Sequence, residues 1–320
     1  MDVTDFLKHR LETRNKIKAT SILWALDFLS KQSHPEEPHE FLEWLFETHL
    51  NHCKSCYLHE NRNFVVKPDG QALSPVMIVL EKPGFLEDLT RVPLTGLHEI
   101  KSSQCTNCLK VMTCFKHQLK MPFKKIPWQR SVIKCEPELT ETITIPKQAF
   151  MRSSGSVFDG LIVKKYGLKF PRQAWIDLAK ANFPHSNAPS KGPWFITNSV
   201  LCRPVNAETG ADSSPESTAL KACNLWLTLQ WAACQPKVVI GFGKISHQAL
   251  WQNKKAKPAN NILHETIFGP SIANVHPAAI MRYELDEERA AGYASIGRSL
   301  DLALQQAGLL ESQSATIGEL

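Results

Sequence analysis

The chain has no apolar run long enough to cross a bilayer. Its longest candidates are interrupted by Gln230, Gln235, Pro236 and Lys237, short of the ~20 residues that a spanning helix needs. The opening residues, Met1-Asp2-Val3-Thr4-Asp5, are acidic and carry no signal-peptide apolar segment, so the expected location is the cytoplasm. No internal repeat is visible. A strong excess of one charge is also missing: a formal net charge of +6 over 320 residues permits nucleic acid as a partner without requiring it. Hydrophobic residues make up 43%, enough to build one large α/β domain with additions.

Cysteine, by contrast, is plentiful. Nine cysteines are many for a reducing compartment, where structural disulfides are disfavoured. Their odd number and C-x-x-C spacings point to metal or cluster ligation. Positive charge is also gathered locally. Between positions 97 and 151 stand nine lysines and arginines against Glu99, Glu136, Glu138 and Glu141.

Residues 1–50 read as a helical N-terminal extension, with apolar residues at three- and four-residue steps in two helices separated by Ser33-His34-Pro35. A short strand is expected near Phe64-Val65-Val66. Val76-Met77-Ile78-Val79-Leu80 is an unbroken apolar run that suits a strand covered on both faces, and Pro83-Gly84 ends it. Trp194 to Cys202 and Lys237 to Gly243 are two further buried strands, and Ile272 to Val275 is a short fourth. Helices are expected at Val157–Tyr166, Gln173–Ala181, Cys223–Cys234, Lys244–Trp251 and Asp286–Ala307. Strands alternating with helices predict an α/β fold of three layers, αβα, around a central parallel four-stranded sheet. The main domain spans 51–310, and 311–320 reads as a flexible tail.

Glu81, Asn198, the Cys202-Arg203-Pro204 turn and His276-Pro277 all fall at the ends of these strands, where open α/β sheets bind ligands. Singly, each has a plainer reading: a solvated acidic loop, a turn asparagine, a satisfied strand-end histidine. Jointly, and in this order, they resemble the iron–sulfur branch of the uracil-DNA glycosylase superfamily. That branch carries C-x-x-C, a first motif close to V-G-E-A-P-G-x-x-E-D, P-F-V-G-x-A-G, T-N-x-x-x-C-x-P, a later cysteine and H-P-(S/A). The counterparts are Cys53 and Cys56, Val79 to Gly84 with Glu87-Asp88, Thr197-Asn198 with Cys202-Arg203-Pro204, Cys223, and His276-Pro277-Ala278. The resemblance covers residues 53–310.

The resemblance implies a chemistry that these residue types can perform. Cleaving an N-glycosidic bond builds positive charge on the sugar and negative charge on the leaving base, after the base has been flipped out of the stack. Glu81 or Glu87 would stabilise the sugar cation or position water. His276 would donate to the base O2, and Asn198 would read the pyrimidine edge with an amide that both donates and accepts. Cys53, Cys56, Cys202 and Cys223 match the four ligands of the family's [4Fe–4S] cluster, with zinc as the chemical runner-up. Cys234 reads as core packing.

The sequence departs from the family in three places. Leu80 stands for the glycine before the glutamate, and Lys82 for the alanine after it. In Pro93-Leu94-Thr95-Gly96, Leu94 takes the position of the ring that stacks on uracil. The family's next glycine, matched by Gly155, is displaced by an inserted basic subdomain at 97–151. In that insert, Cys105, Cys108, Cys114 and Cys135, with His117 nearby, have the spacing of a second metal site, expected to take zinc. Its lysines interleave with Phe115, Phe123 and Trp128 and suit contact with DNA.

The expected function is therefore a monofunctional DNA glycosylase that excises a pyrimidine and leaves an abasic site. With Lys82 and Leu94 counted among the base-binding residues, a modified base such as hydroxymethylated or glucosylated cytosine of phage DNA, removed in defence, is set ahead of uracil removed in repair. A non-catalytic DNA-binding protein on the same scaffold is the alternative class. DNA is the expected partner and a monomer the expected state.

Overall fold

The computed structural model describes residues 1–13, 19–84, 87–88, 93–94, 154–155, 158, 194–206 and 210–310, and, as backbone only, 130–134 and 139–143. The helices are α1 (Val3–Thr13), α2 (Thr20–Ser30), α3 (Pro38–Trp44, running on as a π-turn over Leu45–Leu50), α4 (Ser217–Cys234), α5 (Lys244–Leu250), α6 (Pro277–Ile280) and α7 (Asp286–Gln306). The strands are β1 (Val76–Leu80), β2 (Arg130–Lys134), β3 (Leu139–Ile143), β4 (Trp194–Asn198), β5 (Val238–Phe242), β6 (Leu263–Thr266) and β7 (Gly269–Asn274). The strands β2 and β3 form a separate antiparallel pair inside the basic insert.

The main sheet has five strands in the order β4-β1-β5-β7-β6. The first four are mutually parallel, as expected from the buried apolar runs. The fifth, β6, pairs antiparallel with β7 at the edge; the sequence reading placed no strand there. Its half-exposed Leu-His-Glu-Thr pattern carries neither an apolar run nor a clean alternation. The strand expected at Phe64–Val66 is not formed. That segment is held instead by a bond from Val66 N–H to Leu201 O (2.8 Å) and an isolated bridge between Asp69 and Ile196.

Alternate residues of the central strands feed two cores, as the two-residue strand period requires. Met77, Val79, Phe195 and Val239 face α1 to α4, where Leu7, Ile22, Phe41, Leu45 and Trp231 are buried with them. Ile78, Leu80, Ile196, Ile240 and Ile272 face α7, which contributes Ile296, Leu300 and Ala303. The helical layers lie on both faces of the sheet. The N-terminal helices share one core with the sheet. Arg10 on α1 reinforces this by donating to the carbonyls of Ile267 (3.1 Å) and Thr266 (2.8 Å) at the β6–β7 turn.

Chain order fixes where a ligand crevice falls. From β1 the chain crosses to β4 on one side, then returns to β5 and β7 on the other. The sheet therefore reverses its winding between β1 and β5, and a crevice opens at the carboxyl ends of those two strands.

Candidate active site

Glu81 is the first residue after β1 and stands at that reversal. Ile245 N–H, in the first turn of α5, donates to Glu81 Oε1 at 3.0 Å. The approach is so close that a Cβ on Gly243 would lie 2.5 Å from Glu81 Cδ, and Gly243 has φ +93°. Glycine is thus required at the end of β5 for conformation and for space. On the other flank, Ser199 N–H bonds to Leu80 O at 2.8 Å and Val200 N–H to Glu81 O at 3.2 Å. The β1–β4 register sets Asn198 directly beside Leu80.

A cleft of about 450 Å³ opens here, lined among others by Glu81, Gly243, His247, His276, Lys244, Lys257 and Arg282. Its volume is in the range of small-molecule sites. The three cations are exposed at its rim.

His276 caps α6 with its ring: Ala278 N–H donates to Nδ1 at 3.2 Å. Because Nδ1 accepts, the ring proton of the neutral imidazole sits on Nε2, which is left as a donor. Burial pushes the His276 pKa down to about 4; the Glu81 charge opposes the shift, and Lys82 and Arg282 add to it. His276 is therefore a neutral donor at physiological pH. Below it, Asn274 is a hub: its side-chain amide donates to Asn261 Oδ1, Ser295 O and Ser299 Oγ (2.7–3.1 Å), and its carbonyl accepts from Gly243 N–H at 2.8 Å.

Asn198 is 1% exposed, and among the described residues neither its amide nitrogen nor its carbonyl oxygen has a hydrogen-bond partner. Buried polar side chains are overwhelmingly paired, so an amide empty on both atoms calls for a reason. It lies on the opposite flank of Glu81 from His276, outside the lining of the cleft.

Glu87 is placed differently from Glu81. Gly84 N–H donates to its Oε2 at 2.6 Å and Leu94 N–H to its Oε1 at 2.5 Å. Both oxygens thus clip the turn after β1 to the Leu94 segment. Asp88 does similar work, accepting from Asn63 N–H (3.2 Å) and Phe64 N–H (3.3 Å); burial raises its pKa to about 6 against those bonds and the Arg203 charge. Leu94 is 1% exposed with φ +52° and belongs to the core on the α7 side. Lys82 Nζ lies 3.7 Å from Asp212 Oδ2, whose other oxygen accepts from Arg203 Nε at 2.5 Å.

Cys53, Cys56, Cys202 and Cys223 lie near one another: Cys56 feels the charge of Cys53, Cys202 that of Cys53 and Cys56, and Cys223 that of all three. Burial pushes Cys202 up to about 12 and Cys223 well above its ordinary value. Among the described residues no group of three or more His, Cys, Asp or Glu side chains is arranged to hold a metal ion. Cys105, Cys108, Cys114, His117 and Cys135 lie outside the described residues. Cys234 is wholly buried in the core formed with α1 to α4.

The sequence reading overlooked Gly243 and His247. His247 Nε2 faces two carbonyls, Gly241 O at 3.0 Å and Asn274 O at 3.1 Å, so it carries the proton and ties β5 to β7. Burial lowers its pKa, with those carbonyls and Glu81 opposing. The available signal was the strand end itself: Gly-x-Gly-Lys after a buried run is where a crevice residue belongs.

No match was found among curated proteins. The sequence profile of the uracil DNA glycosylase superfamily, however, matches residues 68–296. That span begins before β1, runs through Glu81, Asn198, Gly243 and His276, and ends within α7. With the carboxylate, amide and imidazole at the ends of three of the four parallel strands of one αβα sheet, the match makes the assignment plain: the chain belongs to the uracil DNA glycosylase superfamily.

Proposed function

We propose that this protein is a monofunctional DNA glycosylase that excises a flipped pyrimidine and leaves an abasic site. The observation that carries the reading is the buried Asn198 amide, unpaired on both atoms. A donor and an acceptor kept side by side without protein partners complement a pyrimidine edge, which would satisfy both at once. No described residue bonds to either atom, so the amide can present itself in either sense. One sense suits the O4 and N3–H of uracil, and the other suits the N4 amino group and N3 of cytosine.

Glu81 is the carboxylate for the sugar. It has one oxygen held by Ile245 N–H, which fixes its direction and leaves the other free to face the developing cation. Glu87 is a positioning residue, since backbone amides occupy both its oxygens. His276 donates from Nε2 to the departing base. A neutral imidazole suits this role because it can stabilise the anion by hydrogen bonding without first giving up a proton. Lys244, Lys257 and Arg282 line the same cleft and suit the phosphates on either side of the flipped nucleotide.

Two positions favour a modified pyrimidine, such as hydroxymethylated or glucosylated cytosine of phage DNA, over uracil. Leu94 replaces the stacking ring, and Lys82, paired with Asp212, replaces alanine beside the catalytic carboxylate. Leu94 supplies no flat wall for a bare uracil, and Lys82 sets a polar side chain directly after Glu81.

The four cysteines fit an iron–sulfur cluster by donor chemistry, since a [4Fe–4S] cluster takes four thiolates. A lone zinc ion would need the same sulfurs drawn around one point. Cys53, Cys56, Cys202 and Cys223 would hold the cluster, and it would supply a cross-link between the Cys53–Cys56 loop and the turn after β4.

The test is to incubate purified protein with uracil-containing DNA and with hydroxymethylated or glucosylated phage DNA, then identify the free base released. Release from the modified DNA alone supports the full reading. Release of uracil alone overturns the modified-base part, and tight binding without release from either overturns catalysis.

A further inference from the structure

Between Cys56 and β1, one cation is placed against two of the four thiols. Arg62 Nη1 donates to Cys202 Sγ at 3.2 Å, and its charge also acts on Cys56. Its Nη2 donates to Asn51 O at 3.5 Å, which anchors the guanidinium to the end of the α3 π-turn. Arg62 is half-buried and has no carboxylate partner among the described residues. The side chain is therefore spent on sulfur, which is a weak acceptor when it is a neutral thiol and a strong one when it is a thiolate.

We infer that Arg62 is the built-in counter-charge of the four-cysteine site, setting both the retention and the reduction potential of the group bound there. The inference rests on the cluster reading given above. A cluster with four thiolate ligands carries net negative charge, and hydrogen bonds and positive charge at the sulfurs are the protein's means of tuning it. A guanidinium at Cys202 lowers the cost of adding an electron, so it raises the potential. It also opposes ligand loss, because its Nη1 holds the Cys202 sulfur at 3.2 Å. Arg62 reaches from the C-x-x-C side to the Cys202 turn, so it would tie the two halves of the ligand set together.

The experiment measures iron and sulfide content, the visible cluster absorbance, the rate of its loss to an iron chelator and the midpoint potential. It compares the wild-type chain with Arg62→Met, Arg62→Gln and Arg62→Lys, each checked for folding by far-ultraviolet circular dichroism. Arg62→Met is expected to lose iron on the order of tenfold faster, as for other residues that support a metal ligand, and to have a more negative potential. Arg62→Lys keeps the charge and should retain much of the potential. Arg62→Gln keeps a donor without charge and should lose it. Three folded variants with wild-type potential and wild-type chelator kinetics would overturn the role of Arg62 while leaving the cluster standing. A wild-type protein that binds no iron would overturn the cluster reading and this inference together. The readouts are independent of base excision, so they do not depend on the identity of the excised base.

Discussion

At the scale of single residues, the site is defined by what each polar group lacks. Asn198 gives up two hydrogen bonds inside the protein, and a buried group left unpaired costs about 1–3 kcal/mol. Replacing it by an apolar residue of similar size, Asn198→Leu, is therefore expected to melt no lower than wild type while abolishing excision. Calorimetry and an excision assay on the same sample check this, and a marked fall in melting temperature with activity retained would contradict it. His276 offers a second check. Its folded pKa of about 4 lies below the ordinary value of 6.5, so the unfolded state binds the proton more readily. Its contribution to stability is thus complete above pH 6.5 and is lost as pH falls from 6.5 through 4. Histidine proton resonances should show His276 still neutral at pH 5.5; a titration midpoint near 6.5 would refute the neutral-donor assignment. Sequence alone could name Asn198 and His276, because both sit in short motifs at the ends of apolar runs. It could not rank Glu81 against Glu87. What separates them is which backbone N–H groups point at each carboxylate, and that is a property of the folded turn.

At the scale of elements, the β5–α5 turn decides where Glu81 points. A methyl group on Gly243 would meet the Glu81 side chain at 2.5–2.7 Å, and φ +93° strains any other residue. Gly243→Ala is expected to lower excision by about a hundredfold, the scale of a misplaced catalytic group, and to cost about 1–3 kcal/mol of stability from the strained backbone. Single-turnover kinetics beside a denaturant melt measure the two separately. Unchanged kinetics would mean that the position of Glu81 is not limiting. This turn was poorly legible because His247 on a short helix looks like an ordinary core histidine, and only the paired carbonyls of Gly241 and Asn274 reveal its clamp. The edge strand β6 was hidden for a related reason. Its residues are half exposed and polar, and they become a strand because β7 offers them a free edge. The four parallel strands were legible because each is an apolar run that can only be buried.

At the scale of the whole molecule, the N-terminal helices are structural. Val3, Leu7, Ile22, Leu29, Phe41 and Leu50 are buried in the same core as the sheet residues Met77, Val79 and Phe195. A chain truncated to begin at residue 51 would expose that face, and it is expected to lose its cooperative thermal transition. A truncated protein with a wild-type melt would show that the helices are dispensable. The same core carries Cys202 and Cys223 along one side, so the cysteine site and the N-terminal layer stand or fall together. The opposite core leads to α7 and, through Asn274, to His276. The sheet thus separates a stabilising side from a working edge, with Glu81 at the reversal between β1 and β5.

The central claim is that Asn198, Glu81 and His276 form one base-excising site. It is tested most directly by counting alkali-labile abasic sites in uracil-containing and in C5-modified DNA after exposure to wild type, Asn198→Ala and His276→Ala, with DNA affinity measured alongside. The account predicts abasic sites with wild type and a loss on the order of a hundredfold or more in each variant, at nearly unchanged affinity. Equal yields from all three proteins, or wild-type binding with no abasic sites in either DNA, would contradict it.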